Sequence, residues 1–308
     1  MKISIIGAGN VGGLTAMRLA EQGFGEIILV DIINGLAKAK ALDLEDANAL
    51  FKYKCRLEGT QDFKKIKDSN ILIITAGLTR KPGMTREELL KKNAQILKDI
   101  SYQIKELSPR SIVIVVTNPV DILTYLVIKE TGFAANKVFG IGANLDAARF
   151  TNLISKELGI STSDIDALVV GCHGETMLPL SRLSYIKGVA LKEFIDEEKI
   201  NELTQKTIQR GLQILSLLGS GSASFAPSAA IYEAVKAIVK DEKRTLALSC
   251  YLKGEYGIKD LCIGVPCRLG RDGIEEIIEL ELNNEEKEAL LKSVSSLKEL
   301  KRIINGSI

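Results

Sequence analysis

Ile3-Ser4-Ile5-Ile6-Gly7-Ala8-Gly9-Asn10-Val11-Gly12 is the segment from which the rest of the chain can be read. A short, mostly apolar strand runs into a turn with the spacing G-x-G-x-x-G, and a helical pattern opens directly after it. Gly7 permits the tight turn, Gly9 lets backbone approach a pyrophosphate, and Gly12 lets the helix pack closely on the strand. The helix start would present unpaired N–H groups to phosphate oxygens, and Ala8, Asn10 and Val11 of this turn count among the candidate cofactor residues. Asp31 ends the next strand, nineteen residues after Gly12. Its carboxylate suits the hydroxyls of an adenosine ribose and repels a 2′-phosphate, which favours NAD over NADP. Flavin enzymes share the fingerprint, so these residues alone leave the dinucleotide open.

Beyond that segment, β-branched runs alternate with helical stretches. Ile3 to Ile6, Ile27 to Val30, Ile71 to Thr75 and Ile112 to Thr117 are near-continuous apolar runs, as in parallel strands buried on both faces. Helices are expected over Val11 to Gln22, Leu36 to Leu50, Thr85 to Leu107 and Asp121 to Thr131, each long enough for a right-handed crossover. The first half therefore reads as a doubly wound parallel sheet, residues 1–143. The remainder, 144–308, reads as a mixed α+β substrate domain. It has a helix over Leu145 to Leu158, a strand over Ile165 to Val170 and a long helix over Asp196 to Leu218, broken at Gly219-Ser220-Gly221. Pro227 opens a helix to Lys240. A three-stranded meander follows, over Arg244 to Leu252, Leu261 to Leu269 and Ile274 to Leu282, and a charged helix runs over Asn284 to Ile304. No long linker separates the halves, so close packing between them is expected.

Composition excludes several classes. In 308 residues, 41 Lys and Arg stand against 39 Asp and Glu, a net +2 that argues against a general binder of nucleic acid or acidic membrane. The five cysteines are odd in number and scattered, with no disulfide framework and no zinc spacing, so no metal is expected. Neither a leader nor a spanning helix is apparent, and a reducing cytoplasm is the expected location.

The single histidine, His173, stands in Gly171-Cys172-His173-Gly174-Glu175, directly after an apolar strand pattern. Any general acid/base chemistry near neutral pH has this one histidine to use. A histidine by itself more often packs into a core than catalyses, but the flanking glycines suit a loop that another molecule approaches. Asp146 and Arg149 lie three residues apart on one helix face, which by itself is the pattern of a surface ion pair. If that face meets His173, Asp146 can orient the imidazole and Arg149 can grip a carboxylate through two parallel bonds. Arg80 and Arg86 lie on a loop at the carboxyl end of a parallel strand, where ligands bind in such sheets. Thr85 and Glu88 there form a helix-capping box. Asn118, before Pro119, ends another such strand and supplies an amide.

Together these stretches resemble the lactate/malate dehydrogenase family over essentially the whole chain. The motifs that carry the resemblance are Gly7 to Gly12, Ala76 to Arg86, Val116 to Asp121, Asn144 to Arg149 and Gly171 to Glu175, with Gly254 to Asp260 and Ile263 to Pro266 in support. The resemblance implies a Rossmann domain followed by a catalytic domain, with NAD as cofactor. It makes His173 the proton acceptor, Asp146 its partner and Arg149 the anchor of the C1 carboxylate. Arg86 would polarise the substrate carbonyl. An arginine at Arg80 marks the malate branch, where it meets the second carboxylate. Asn118 would bind substrate, Ala223 would line its pocket, and Asn93, Val116, Thr117 and Asn118 would join the cofactor site. A tricarboxylic acid cycle enzyme that forms a homodimer or homotetramer is implied, with helices such as Leu14 to Gln22 or Asp196 to Leu218 supplying interfaces. The alternatives are a lactate or broad 2-hydroxyacid dehydrogenase and a non-catalytic NAD-binding protein. Cys172 and Glu175 depart from the commonest family pattern, and Cys172 beside the base raises the idea of thiol-sensitive activity.

Overall fold

The computed structural model describes residues 1–79 and 85–306, with the backbone alone at Arg86. Its first half runs β1 (Lys2–Ile6), α1 (Asn10–Glu21), β2 (Gly25–Val30), α2 (Leu36–Phe51), β3 (Cys55–Thr60), β4 (Ile71–Ile74), α3 (Arg86–Leu107), β5 (Ile112–Val115), α4 (Val120–Thr131) and β6 (Val138–Gly140). The strand order β3-β2-β1-β4-β5-β6 is the doubly wound arrangement, and it reverses direction between β1 and β4. Ile3 pairs in parallel register with Ile27 on one side and Ile71 on the other, which places the turn after β1 at that switch point. β4 and β5 are buried at every position, as continuous Ile and Val runs require.

The second half runs α5 (Ala143–Leu158), β7 (Ile165–Asp166), β8 (Val169–Gly171), β9 (Met177–Pro179), β10 (Tyr185–Ile186), β11 (Val189–Ala190), α6 (Glu197–Leu218), α7 (Phe225–Val239), β12 (Arg244–Lys253), β13 (Lys259–Gly270), β14 (Gly273–Ile277) and α8 (Asn284–Asn305). The expected meander is present as β12-β13-β14. It does not stand apart: β12 pairs antiparallel with β6 at Ser249 and Gly140, so the two halves share one 11-stranded sheet. One apolar cluster accordingly crosses from the first half to the second, taking in Ile5, Val115, Leu145, Leu248 and Val265. A smaller core, including Phe150, Ile154, Met177, Leu191 and Leu203, lies around α5 and α6.

Several sequence expectations are corrected. The strand expected over Ile165 to Val170 is two strands in different sheets, because at Leu168 the N–H donates to the Ser184 hydroxyl at 3.2 Å instead of continuing a ladder. The last meander strand stops at Ile277, since the next residues turn to serve Tyr256, whose hydroxyl donates to the Ile278 carbonyl at 2.6 Å. α7 opens at Phe225, two residues before Pro227. α1 packs against α7 of the same chain, with Arg18 donating to Ser228 at 3.0 Å. α6, by contrast, leaves Leu212, Leu217 and Leu218 exposed. Among the described residues no helix is long and apolar enough to cross a membrane, and no cluster of ligating side chains could hold a metal ion.

Candidate active site

The turn between β1 and α1 is shaped by absent side chains. Gly7 has φ +104°, and a Cβ there would lie 2.5 Å from the Ala76 nitrogen. A Cβ on Gly12 would lie 1.9 Å from the Gly7 carbonyl oxygen, so only glycine lets α1 approach β1 this closely. At Gly9 a Cβ would meet nothing within 4 Å, and Gly9 and Asn10 are exposed, which leaves open space in front of the helix start. Among the described residues no side chain caps α1, so its first N–H groups could serve a ligand. Asp31, at the end of β2, accepts from the Ala8 N–H at 2.6 Å and the Ile33 N–H at 2.9 Å, one on each carboxylate oxygen. Lone pairs remain for ribose hydroxyls. A dinucleotide fits this cradle. Sequence reasoning missed Lys40, whose ammonium donates to the Gly9 carbonyl at 2.8 Å. Its signal was a lysine at helical spacing on α2, which without the fold has no direction.

The helix face of α5 does meet His173. His173 Nδ1 lies 2.7 Å from Asp146 Oδ2, while Asp146 Oδ1 accepts from Arg149 at 2.9 Å. Asp146 is fully buried and Arg149 nearly so, which removes the surface ion-pair reading. Burial pulls the imidazole down, but the charge of Asp146 and its hydrogen bond outweigh that, and His173 titrates above its ordinary value. Arg149 is not wholly free to grip a ligand, since one arm is committed to Asp146. Its Nε is buried with no partner among the described residues. The Arg149 guanidinium packs beside Gly211 of α6, where a Cβ would make ordinary van der Waals contact at 3.6 Å. A buried cation with an idle donor beside a histidine–aspartate pair suits a carboxylate ligand.

The loop after β8 is held from two further sides by residues the motif reading left without a role. Asp121, in the first turn of α4, accepts the His173 N–H at 2.8 Å. Ser293 of α8 accepts the Cys172 N–H at 3.3 Å and donates to the Thr176 carbonyl. Cys172 itself is buried, and desolvation with the nearby Asp121 charge pushes its thiol well up. A thiol held neutral is a poor nucleophile, which counts against thiol-sensitive activity.

Asn93 is fully buried and spends its amide on backbone: it accepts from Leu78 N–H at 2.8 Å and donates to the carbonyls of Leu78 and Asn118. It ties the loop after β4 to the turn after β5. Thr117 donates to the Ala76 carbonyl at 2.7 Å across the same junction, beside half-buried Val116, and Asn118 is exposed ahead of a cis peptide to Pro119. Ala223 is half-buried in the connection between α6 and α7. The capping box at α3 is present, with Thr85 and Glu88 bonding reciprocally. Arg80 lies outside the described residues, as does the Arg86 side chain.

Residues 1–140 match the family model for the lactate/malate dehydrogenase NAD binding domain, and residues 143–305 match that for the lactate/malate dehydrogenase alpha/beta C-terminal domain. The malate dehydrogenase of Methanosarcina acetivorans is 48% identical over 297 residues, covering 96% of this chain and 97% of the relative. Among solved structures, Cryptosporidium parvum malate dehydrogenase superposes with a TM-score of 0.97 at 39% identity, covering 99% of each chain. Lactate dehydrogenase from the same organism, complexed with lactic acid and NAD, gives 0.96 at 33% identity, over 99% of this chain and 98% of that one.

Proposed function

The chain belongs to the lactate/malate dehydrogenase family, and on that footing we propose how it works as an NAD-dependent malate dehydrogenase, reversibly oxidising (S)-malate to oxaloacetate. The observation that carries the reading is the buried His173–Asp146 contact of 2.7 Å beside an arginine with an idle buried donor. NAD, held by the Gly7–Gly12 turn and Asp31, would supply the hydride acceptor for C2 of malate. His173 accepts the hydroxyl proton on Nε2, the ring nitrogen opposite the one Asp146 holds, as that hydride leaves. Asp146 holds Nδ1, which fixes the tautomer and stabilises the imidazolium that forms. Arg149 anchors the C1 carboxylate through Nε and its uncommitted arm. Arg86 polarises the carbonyl, and Arg80 meets the second carboxylate. Three arginines around a dianion supply the counter-charge that water otherwise gives.

Asn118 orients the substrate and Ala223 lines its distal pocket. Gly7, Ala8, Gly9, Asn10, Val11, Gly12 and Asp31 hold the dinucleotide, with Asn93, Val116, Thr117 and Asn118 shaping its nicotinamide end. The cofactor domain comprises 1–143 and the catalytic domain 144–308. The exposed Leu50, Phe51, Leu217 and Phe225 favour a homodimer or homotetramer. Five unpaired thiols favour a reducing cytoplasm, and the reaction suits the tricarboxylic acid cycle.

Substrate choice is tested by NADH oxidation with oxaloacetate and pyruvate in parallel, before and after Arg80→Gln. A preference for oxaloacetate that falls by roughly two orders of magnitude in the variant supports the role of Arg80. A native preference for pyruvate would move the chain to the lactate branch with the same proton chemistry.

A further inference from the structure

His173 is held by carboxylates from two helices. Asp146 of α5 takes the ring, and Asp121 of α4 takes the main chain through Oδ2 at 2.8 Å. The other oxygen of Asp121 accepts the hydroxyl of Ser249, on β12, at 2.6 Å. Asp121 is 2% exposed. A neutral carbonyl would satisfy one backbone N–H at far less desolvation cost, so a carboxylate here needs a further reason. Gly140, opposite Ser249 in the sheet, has room for no Cβ, since one would stand 2.5 Å from the Thr124 hydroxyl of α4 and 2.9 Å from the Ser249 Cβ. α4, β6 and β12 are thus drawn together at the point where Ser249 reaches Asp121.

We propose that Asp121 is a positioning residue for the reaction, fixing the backbone of His173 and setting a second buried negative charge beside the imidazole that receives the substrate proton. The proposal rests on the reading of His173 as proton acceptor. When the hydroxyl proton moves to Nε2, the imidazolium faces Asp146 on its ring and Asp121 beneath its main chain, and both charges favour it. Burial pushes the Asp121 carboxyl up, while donors from Ser249, the His173 N–H and Cys172 pull it back, so its charge depends on those donors. Of the charged groups near the pair, Asp146 of α5 favours the charged imidazole and Arg149 of the same helix opposes it. The thiols nearby, Cys172 of the same loop, Cys250 of β12 and Cys262 of β13, are driven well above their ordinary range by burial and remain neutral.

The test is the pH profile of kcat/KM for malate oxidation in the full chain carrying Asp121→Asn, Asp121→Ala or Ser249→Ala, with NADH affinity and melting temperature measured alongside. Asp121→Asn keeps an acceptor for the His173 N–H but removes the charge. Its acid limb should move to lower pH by roughly half a unit or more, with kcat down about tenfold and NADH affinity unchanged. Asp121→Ala also loses the backbone bond and should be slower still, so that the asparagine partly rescues it. A residue of purely structural use would lower the melting temperature without moving the limb. If the Asp121 variants fail to fold, Ser249→Ala decides, because Asp121 stays in place with one donor fewer: a limb moved in the same direction supports the proposal, and an unmoved limb overturns it. A folded Asp121→Asn with an unmoved limb and kcat within about twofold of native overturns it as well. Near-normal turnover by His173→Asn would instead remove the proton-acceptor reading itself, so the two failures are distinguishable.

Discussion

At the residue scale the chemistry is an argument about one proton. His173 titrates above its ordinary value because Asp146 outweighs desolvation, so the imidazolium persists to higher pH than in a free histidine. With His173 as the proposed proton acceptor, malate oxidation needs the neutral ring and should therefore fall as pH drops through the raised value. Oxaloacetate reduction needs the imidazolium and should fall as pH rises through the same value. Profiles of kcat/KM in both directions, from about pH 5 to 9, should share one inflection lying above about 6.5. Two inflections, or one well below that of free histidine, would mean that another group carries the proton. The residue pattern alone could not settle this, since Asp146 and Arg149 three apart are compatible with either a solvated ion pair or a buried dyad. Burial separates the two, and burial is a property of the fold.

At the element scale the turn from β1 into α1 makes the sharpest demand. A methyl group at Gly12 would strike the Gly7 carbonyl at 1.9 Å, whereas one at neighbouring Gly13 would meet only the far end of the Lys40 side chain, nearest atom at 2.9 Å. Gly12→Ala is expected to cost roughly 1–3 kcal/mol of stability and to weaken NADH binding, with Gly13→Ala close to native in stability. Thermal melts and fluorescence titration with NADH check this pair. Equal behaviour of the two variants would contradict the close approach of α1 to β1. The same turn explains what was legible: glycines at fixed spacing and unbroken Ile and Val runs are local signals, and β1, β2, β4 and β5 follow from them. β3 was not visible because an edge strand reading Cys-Arg-Leu-Glu-Gly-Thr has no apolar run. β6 has only three residues, and the break at Ala167-Leu168 depends on a partner, Ser184, sixteen residues away. Asp121 was legible as a motif residue without a task, because its proposed task depends on α4 meeting β12 and the His173 loop.

At the scale of the whole molecule, the two halves are joined by the β6–β12 pairing and, on another side, by a charged latch. Asp260, at the start of β13, accepts from Lys129 of α4 at 2.8 Å and from Lys301 of α8 at 2.5 Å, and both ammonium groups lie over the Tyr125 ring. Burial alone would push the Asp260 carboxyl up, but the bonds from Lys129, Lys301 and Tyr251 hold it well below the usual carboxylate range. A carboxyl depressed in the folded state stabilises above its unfolded value and loses that contribution as pH falls through the depressed one. Asp260→Asn should therefore lower stability by roughly 1 kcal/mol at neutral pH, a modest figure because the network is partly solvated, and the difference should shrink in acid. Denaturant melts of both proteins at neutral and acid pH check the sign, and a gap that widens on acidification would contradict it. The measurement that bears on the whole reading is steady-state oxidation of NADH by oxaloacetate in the native chain and in His173→Asn, with NADH affinity determined for each. Loss of turnover by roughly three orders of magnitude or more, with NADH still bound normally, is the expected result. Turnover within a few-fold of native in the variant would contradict it.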